Sequence, residues 1–117
     1  MRHNFKNDMA KVELFDTDLQ TTSALFKALG HPARLAILKY LSETKVCISG
    51  DISNELPLSR TTVNQHLKEL KDQGLIKGEI EGAKMNYCLN SHRIKELKDV
   101  LDHFLCEIDC SCNLNCD

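Results

Sequence analysis

No stretch of this 117-residue chain approaches the roughly 18 consecutive apolar residues that a membrane span requires. The opening Met1-Arg2-His3-Asn4-Phe5-Lys6 runs into Asn7-Asp8 and not into an apolar signal core, so a cytoplasmic protein without membrane attachment is expected. Internal repeats, low-complexity segments and Pro/Gly linkers are also missing, which argues against a solenoid or a multi-domain array. With 42% hydrophobic and 27% charged residues, the composition is that of one ordinary folded domain. A domain this small leaves much apolar surface uncovered, which favours an oligomer.

A strong basic charge is lacking too, since the formal net charge is −2. That total conceals an uneven distribution. Residues 1–95 carry a net +3 and residues 96–117 a net −5, so the acidity belongs to the C-terminal end. The body therefore remains able to bind nucleic acid, because local clusters set the field at a contact surface.

Hydrophobic periodicity predicts a polar tail over 1–17, a folded domain over 18–109 and a cysteine-bearing tail over 110–117. A first helix opens at Asp18-Leu19, carries Leu25, Phe26 and Leu29, and stops at Gly30. Pro32 suits the first position of a second helix with Leu35, Leu38 and Leu41. Ser49 is expected to cap a short third helix holding Ile52 and Leu56, which Pro57 ends. Ser59 caps a fourth, with Val63, Leu67 and Leu70 inward and Gly74 at its exit. From Leu75 the period becomes two: Ile76, Gly78 and Ile80, a turn at Glu81-Gly82-Ala83-Lys84, then Met85, Tyr87 and Leu89 predict a β-hairpin. A last helix begins at Ser91 with a seam of Ile94, Leu97, Leu101, Phe104 and Ile108 that calls for a partner helix. The expected fold class is mainly α with a small β wing: a winged helix-turn-helix, four helices, a hairpin and a last helix.

On the fourth helix Thr61, Asn64, Gln65 and Lys68 fall at i, i+3, i+4 and i+7, and so share the face opposite the apolar positions. Such a stripe is often mere solvated surface. Preceded by a short helix and a tight turn and followed by a wing, it becomes a candidate DNA-reading face. Amides of Asn64 and Gln65 can pair with base edges. Hydroxyls of Ser59, Thr61 and Thr62 reach phosphates or bases, Arg60 and Lys68 anchor the backbone, and Lys84 at the hairpin tip touches flanking phosphate or minor groove. The expected partner is double-stranded operator DNA.

Two segments resemble the ArsR/SmtB family of metal-sensing repressors. Ala28-Leu29-Gly30-His31-Pro32-Ala33-Arg34-Leu35-Ala36-Ile37-Leu38 is similar to its opening signature. Leu58-Ser59-Arg60-Thr61-Thr62-Val63-Asn64-Gln65-His66-Leu67-Lys68-Glu69-Leu70, with Gly74-Leu75-Ile76, is similar to its recognition helix and exit. The resemblance spans about residues 19–108. It implies a homodimer through the first and last helices, repression without ligand and release on metal binding. His66, inside the second motif, is expected to pack and cap and not to touch DNA.

The resemblance also supplies two sensor sites to test. Arsenic and cadmium sensors place Cys-x-Cys at the start of the third helix, whereas Val46-Cys47-Ile48-Ser49-Gly50 keeps only the first cysteine. Cys47 is then expected to pack as a small hydrophobe unless a site is completed elsewhere, and Cys88 to pack in the hairpin. Zinc sensors use Asp-x-His, ten residues, then His-x-x-His. Here the pattern is Asn90-x-His92, ten residues, His103-x-x-Cys106, with a neutral amide where zinc prefers an anion.

Four of the six cysteines fall in the last twelve residues, as Cys106-x3-Cys110-x-Cys112-x3-Cys116. Cys106 and Cys110 lie one helical turn apart, and Cys112 and Cys116 follow where the pattern stops, so thiolates can converge there. Thiolates select soft ions. Trivalent arsenic or antimony is the favoured inducer, with Zn(II), Cd(II) or Pb(II) as further candidates. Asp99 and His103 extend the same stripe as solvated flank or supporting groups. Alternatives are a thiol redox switch, a zinc sensor at the last-helix site, or an adaptor stabilised by zinc. A thiol enzyme is not expected, because there is no Cys-x-x-Cys.

Overall fold

The computed structural model describes residues 11–44, 47–49, 52–80 and 86–109. After a 3-10 turn at Val12–Leu14 come α1 (Thr17–Leu29), α2 (Pro32–Thr44), β1 (Ile48–Ser49), a 3-10 turn (Ser53–Glu55), α3 (Arg60–Asp72), β2 (Ile76–Glu79), β3 (Asn86–Leu89) and α4 (Ser91–Ile108). The winged helix-turn-helix read from the sequence is the fold observed.

Local chemistry sets the boundaries. α1 starts two residues before its first apolar position because the Asp16 carboxylate accepts from the Asp18 N–H at 3.3 Å. α2 opens on Pro32, and His31 Nδ1 accepts from the Ala33 N–H at 3.0 Å. α3 is capped by Ser59, whose Oγ accepts from the Thr62 N–H at 3.3 Å. Its exit is a Schellman turn. Gly74, at φ +75°, lets the Leu75 N–H reach the Leu70 carbonyl (3.0 Å) while its own N–H reaches that of Lys71 (2.8 Å).

The expected third helix is a correction. Ile48 and Ser49 pair instead with Tyr87 and Asn86, adding β1 to the hairpin as an antiparallel edge in the order β1-β3-β2. Ser49 therefore lies in a strand and caps no helix. What is left is one 3-10 turn, because Pro57 forces Leu56 into extended backbone (φ −131°, ψ 147°). Ile52 still reaches the core at 3% exposure.

In the hairpin, Ile76 faces Leu89 and Gly78 faces Tyr87. Gly78 has φ +111°, and a Cβ there would lie 2.1 Å from the Asn86 carbonyl oxygen, so the strands approach this closely only at a glycine.

One core gathers Leu25 and Ala28 of α1, Ile37 and Leu41 of α2, Ile52, Val63, Leu67 and Leu70 of α3, Leu75, Ile76, Ile80, Tyr87 and Leu97 of α4. α2 buries Ala33, Ile37 and Leu41 at steps of four, which turns Leu35, one of the apolar positions that mark this helix in the sequence, outward at 53% exposure. Burial along the α4 seam fades from Leu97, at 7% exposure, to Ile108, at 63%. With Leu105, Val12, Leu14, Phe15 and Leu19 also exposed, the far end of α4 and the start of α1 present apolar surface to solvent. Phe26 and Phe104 meet edge to face at 5.6 Å between them. No helix among the described residues is long and apolar enough to cross a membrane.

Candidate nucleic-acid interface

α3 stands on a stripe of Val63, His66, Leu67 and Leu70, all buried. Its other side carries Ser59, Arg60, Thr61, Gln65 and Lys68, all exposed, with Thr62 half-buried beside the cap. The Ser59 hydroxyl donates to Thr62 Oγ1 at 3.0 Å, so both hydroxyls are oriented by each other before any ligand arrives. No acidic residue lies in the first turn, and Arg60 does. The positive end of the helix dipole and a basic residue thus lie at the same end of α3, which favours a phosphate there.

Asn64 differs from its expected neighbours. It is half-buried, and its Oδ1 is enclosed without a partner among the described residues. An unpaired buried acceptor costs about 1–3 kcal/mol, so Gln65 is the better-presented amide on this face. Lys84 lies outside the described residues.

The structure adds a group with no role assigned in the sequence reading. Arg34 donates from Nε to His66 Nδ1 at 3.1 Å and from Nη1 to the carbonyls of Lys27 (2.9 Å) and Ala28 (3.3 Å). One guanidinium thereby ties the last turn of α1 and the first turn of α2 to the middle of α3. The His31 ring, which caps α2, lies 4.4 Å from that of His66. His66 packs and accepts, as expected, and its burial at 9% exposure keeps it from the outer face.

Burial first, then the nearby His31 and Arg34, holds the His66 imidazole below its ordinary pKa of 6.5, while Glu69 opposes them. Protonation also displaces the Arg34 hydrogen bond. Below pH 6.5 the unfolded chain binds a proton that the folded chain resists, so stability is complete above that pH and declines as pH falls toward the folded value. Thermal unfolding midpoints should drop between pH 7.5 and about pH 5. His66→Gln should flatten that slope, and an unchanged slope would show that other groups cause it.

The metal-ligand candidates are distributed unevenly. Cys106 is exposed near the end of α4, and Cys110, Cys112 and Cys116 lie outside the described residues. His92 and His103 each sit beside the carboxylate one turn on, Glu96 at 4.0 Å and Glu107 at 3.3 Å. Asn90 uses its Oδ1 to cap α4, accepting from the Arg93 N–H at 3.3 Å. Its place in the zinc-sensor pattern is thus taken by a structural task. Asp99 and His103 are exposed, and among the described residues no three His, Cys, Asp or Glu groups come together to hold a metal. Cys47, expected to pack, is exposed instead, because the chain around it forms a sheet edge and not a buried helix start, whereas Cys88 is half-buried.

Comparison with known proteins bears on what this frame is for. The family model described as "Bacterial regulatory protein, arsR family" matches residues 31–77, from the cap of α2 into β2. An uncharacterised HTH-type transcriptional regulator of Methanocaldococcus jannaschii is 35% identical over 83 residues, covering 71% of this chain and 93% of that protein. The cadmium resistance transcriptional regulatory protein CadC homolog of Staphylococcus aureus is 32% identical over 96 residues, covering 81% of this chain and 78% of that one. The chain belongs to the arsR family. A solved ArsR-like transcriptional regulator from Rhodococcus sp. RHA1 shares the fold, with a TM-score of 0.59 at 23% identity over 76% of this chain and 83% of its own. In this member of a family of DNA-binding transcription regulators, α3 is the second helix of the helix-turn-helix and the β2–β3 hairpin is its wing.

Proposed function

We propose that the protein is a homodimeric repressor, working in the cytoplasm as a binding protein and not an enzyme, that leaves its operator when C-terminal thiolates capture a soft ion. One observation carries this reading: α4 ends in exposed apolar residues, Leu105 at 51% and Ile108 at 63%, with the exposed thiol of Cys106 between them. A helix end that is apolar and exposed supports association with a second copy. A cysteine on that same turn lies where thiol chemistry bears on the association. Cys110, Cys112 and Cys116 follow within ten residues and supply the further sulfurs.

Neutralised by several thiolates, a soft trivalent or divalent centre fits this donor set better than hard oxygen-seeking ions do. Arsenite and antimonite are favoured, since pyramidal three-sulfur coordination needs only three of the four cysteines. Zn(II), Cd(II) and Pb(II) follow. The dimer holds two α3 helices to meet successive major grooves about 34–36 Å apart, and capture of the ion alters that spacing. Ligand and DNA are then antagonists, each weakening the other by one shared factor, commonly about 5- to 150-fold.

Fluorescence anisotropy with the upstream DNA of its own gene tests this. The metal-free protein should bind, and arsenite, antimonite, cadmium and zinc should be compared for release at fixed salt. Equal affinity with and without every ion would overturn the sensor reading, and absence of salt-dependent binding would overturn the DNA-binding one.

A further inference from the structure

A second pair of thiols lies across the sheet. The β1/β3 register sets Ile48 against Tyr87 and Ser49 against Asn86, and one step further it brings Cys47 opposite Cys88. On the other side of β3, Cys88 faces Lys77 of β2. Directly opposed residues project to the same face of a sheet, so Cys47, Cys88 and Lys77 form a row. That row lies on the face away from Tyr87 and Ile76, which are in the core. It borders an open cavity of about 480 Å³, lined also by Leu41 and Ser42 from the end of α2.

The neighbouring Cys47 thiol, together with burial, pushes the Cys88 thiol above its ordinary range, while Lys77 pulls it back. No third His, Cys, Asp or Glu completes a cluster here among the described residues. Two adjacent sulfurs match a thiophilic centre with two open valences.

We propose that Cys47 and Cys88 form a two-thiol site, separate from the C-terminal cysteines, for a trivalent arsenical that carries one organic substituent. The condensation balances without electron transfer. The arsenical R–As=O loses its oxygen to the two S–H protons as one water, two As–S bonds replace the As=O bond, and arsenic stays trivalent. The resulting bridge ties β1 to β3 at the base of the wing and beside the end of α2. It contains none of the residues assigned to the ion sensor, so either site stands if the other fails.

Full-length protein with Cys106, Cys110, Cys112 and Cys116 all changed to Ser is treated with phenylarsine oxide. Intact mass should show one phenylarsenic bridge per chain that survives gel filtration. Iodoacetamide should then find both remaining thiols protected until ethanedithiol is added. Adding Cys47→Ser or Cys88→Ser should reduce retention by about tenfold or more, because a chelate becomes a single bond. In the unsubstituted protein, peptide mapping after the same treatment should recover residues 47 and 88 joined through arsenic, which covers poor folding of the variants. No bridge between them, equal retention by the single-thiol variants, or a Cys47–Cys88 disulfide in place of the adduct overturns the proposal.

Discussion

Protein carrying Leu105→Asp and Ile108→Asp should bind a two-half-site operator about 10²- to 10⁴-fold more weakly than the unsubstituted chain, with affinity for one half-site nearly unchanged. Both side chains are more than half exposed, so neither supports the subunit core, and the monomer should keep its fold. Ile108 ends the seam that runs from Ile94 past the buried Leu97 to Phe104, which meets Phe26 of α1, and Leu105 follows Phe104 on the same helix. Phe104 also borders an open, mostly apolar cavity of about 340 Å³, lined by Val12, Phe15, Leu19 and Phe26 of the N-terminal end. Full burial of an aliphatic side chain is worth about 1.5–3 kcal/mol, so four such groups across a two-fold axis make a large share of a small interface. Placing carboxylates there reverses the sign. Once the copies separate, each recognition helix binds alone and the effective concentration that its partner supplied is gone. Sedimentation should show a monomer, and anisotropy on one- and two-half-site duplexes should show the split. A dimer that survives both changes would place the interface elsewhere.

Changing Cys106, Cys110 and Cys112 together to Ser should reduce the effect of arsenite on operator affinity from about 5- to 150-fold to none, while metal-free affinity stays within about twofold. The thiolate is the soft donor, and a serine hydroxyl, similar in size, is neither soft nor ionised near neutrality. Cys106 is exposed and belongs to no core contact, so its loss should not disturb folding. Linkage gives an independent check, since saturating DNA should weaken arsenite binding to the unsubstituted chain by the same factor that arsenite weakens DNA binding. Release that persists in the variant would exclude these cysteines as the trigger.

The recognition helix was legible in the sequence because its signals are local. Ser59 three residues before the Thr62 N–H, apolar steps at Val63, Leu67 and Leu70, and Gly74 at the exit each act within a turn or two. Ser49 misled for the opposite reason. A serine before an apolar residue is a fair helix start, yet pairing with a strand nearly forty residues on decided its conformation. That same long-range register hides the Cys47–Cys88 pair, which looks like two unrelated cysteines in the linear chain. Arg34 was equally opaque, since its tie to His66 spans 32 positions. Leu35 and Ile37 show a subtler limit: both are aliphatic and helical, and only the docking of α2 selects Ile37 for the core.

The guanidinium of Arg34 is a mechanical link between helices. It holds the carbonyl end of α1 with one edge and the ring of His66 with another, joining the helix that borders the exposed apolar surface to the helix that carries the polar outer face. A strut this short should couple a tilt of α1 to α3, and Arg34→Ala should loosen that coupling.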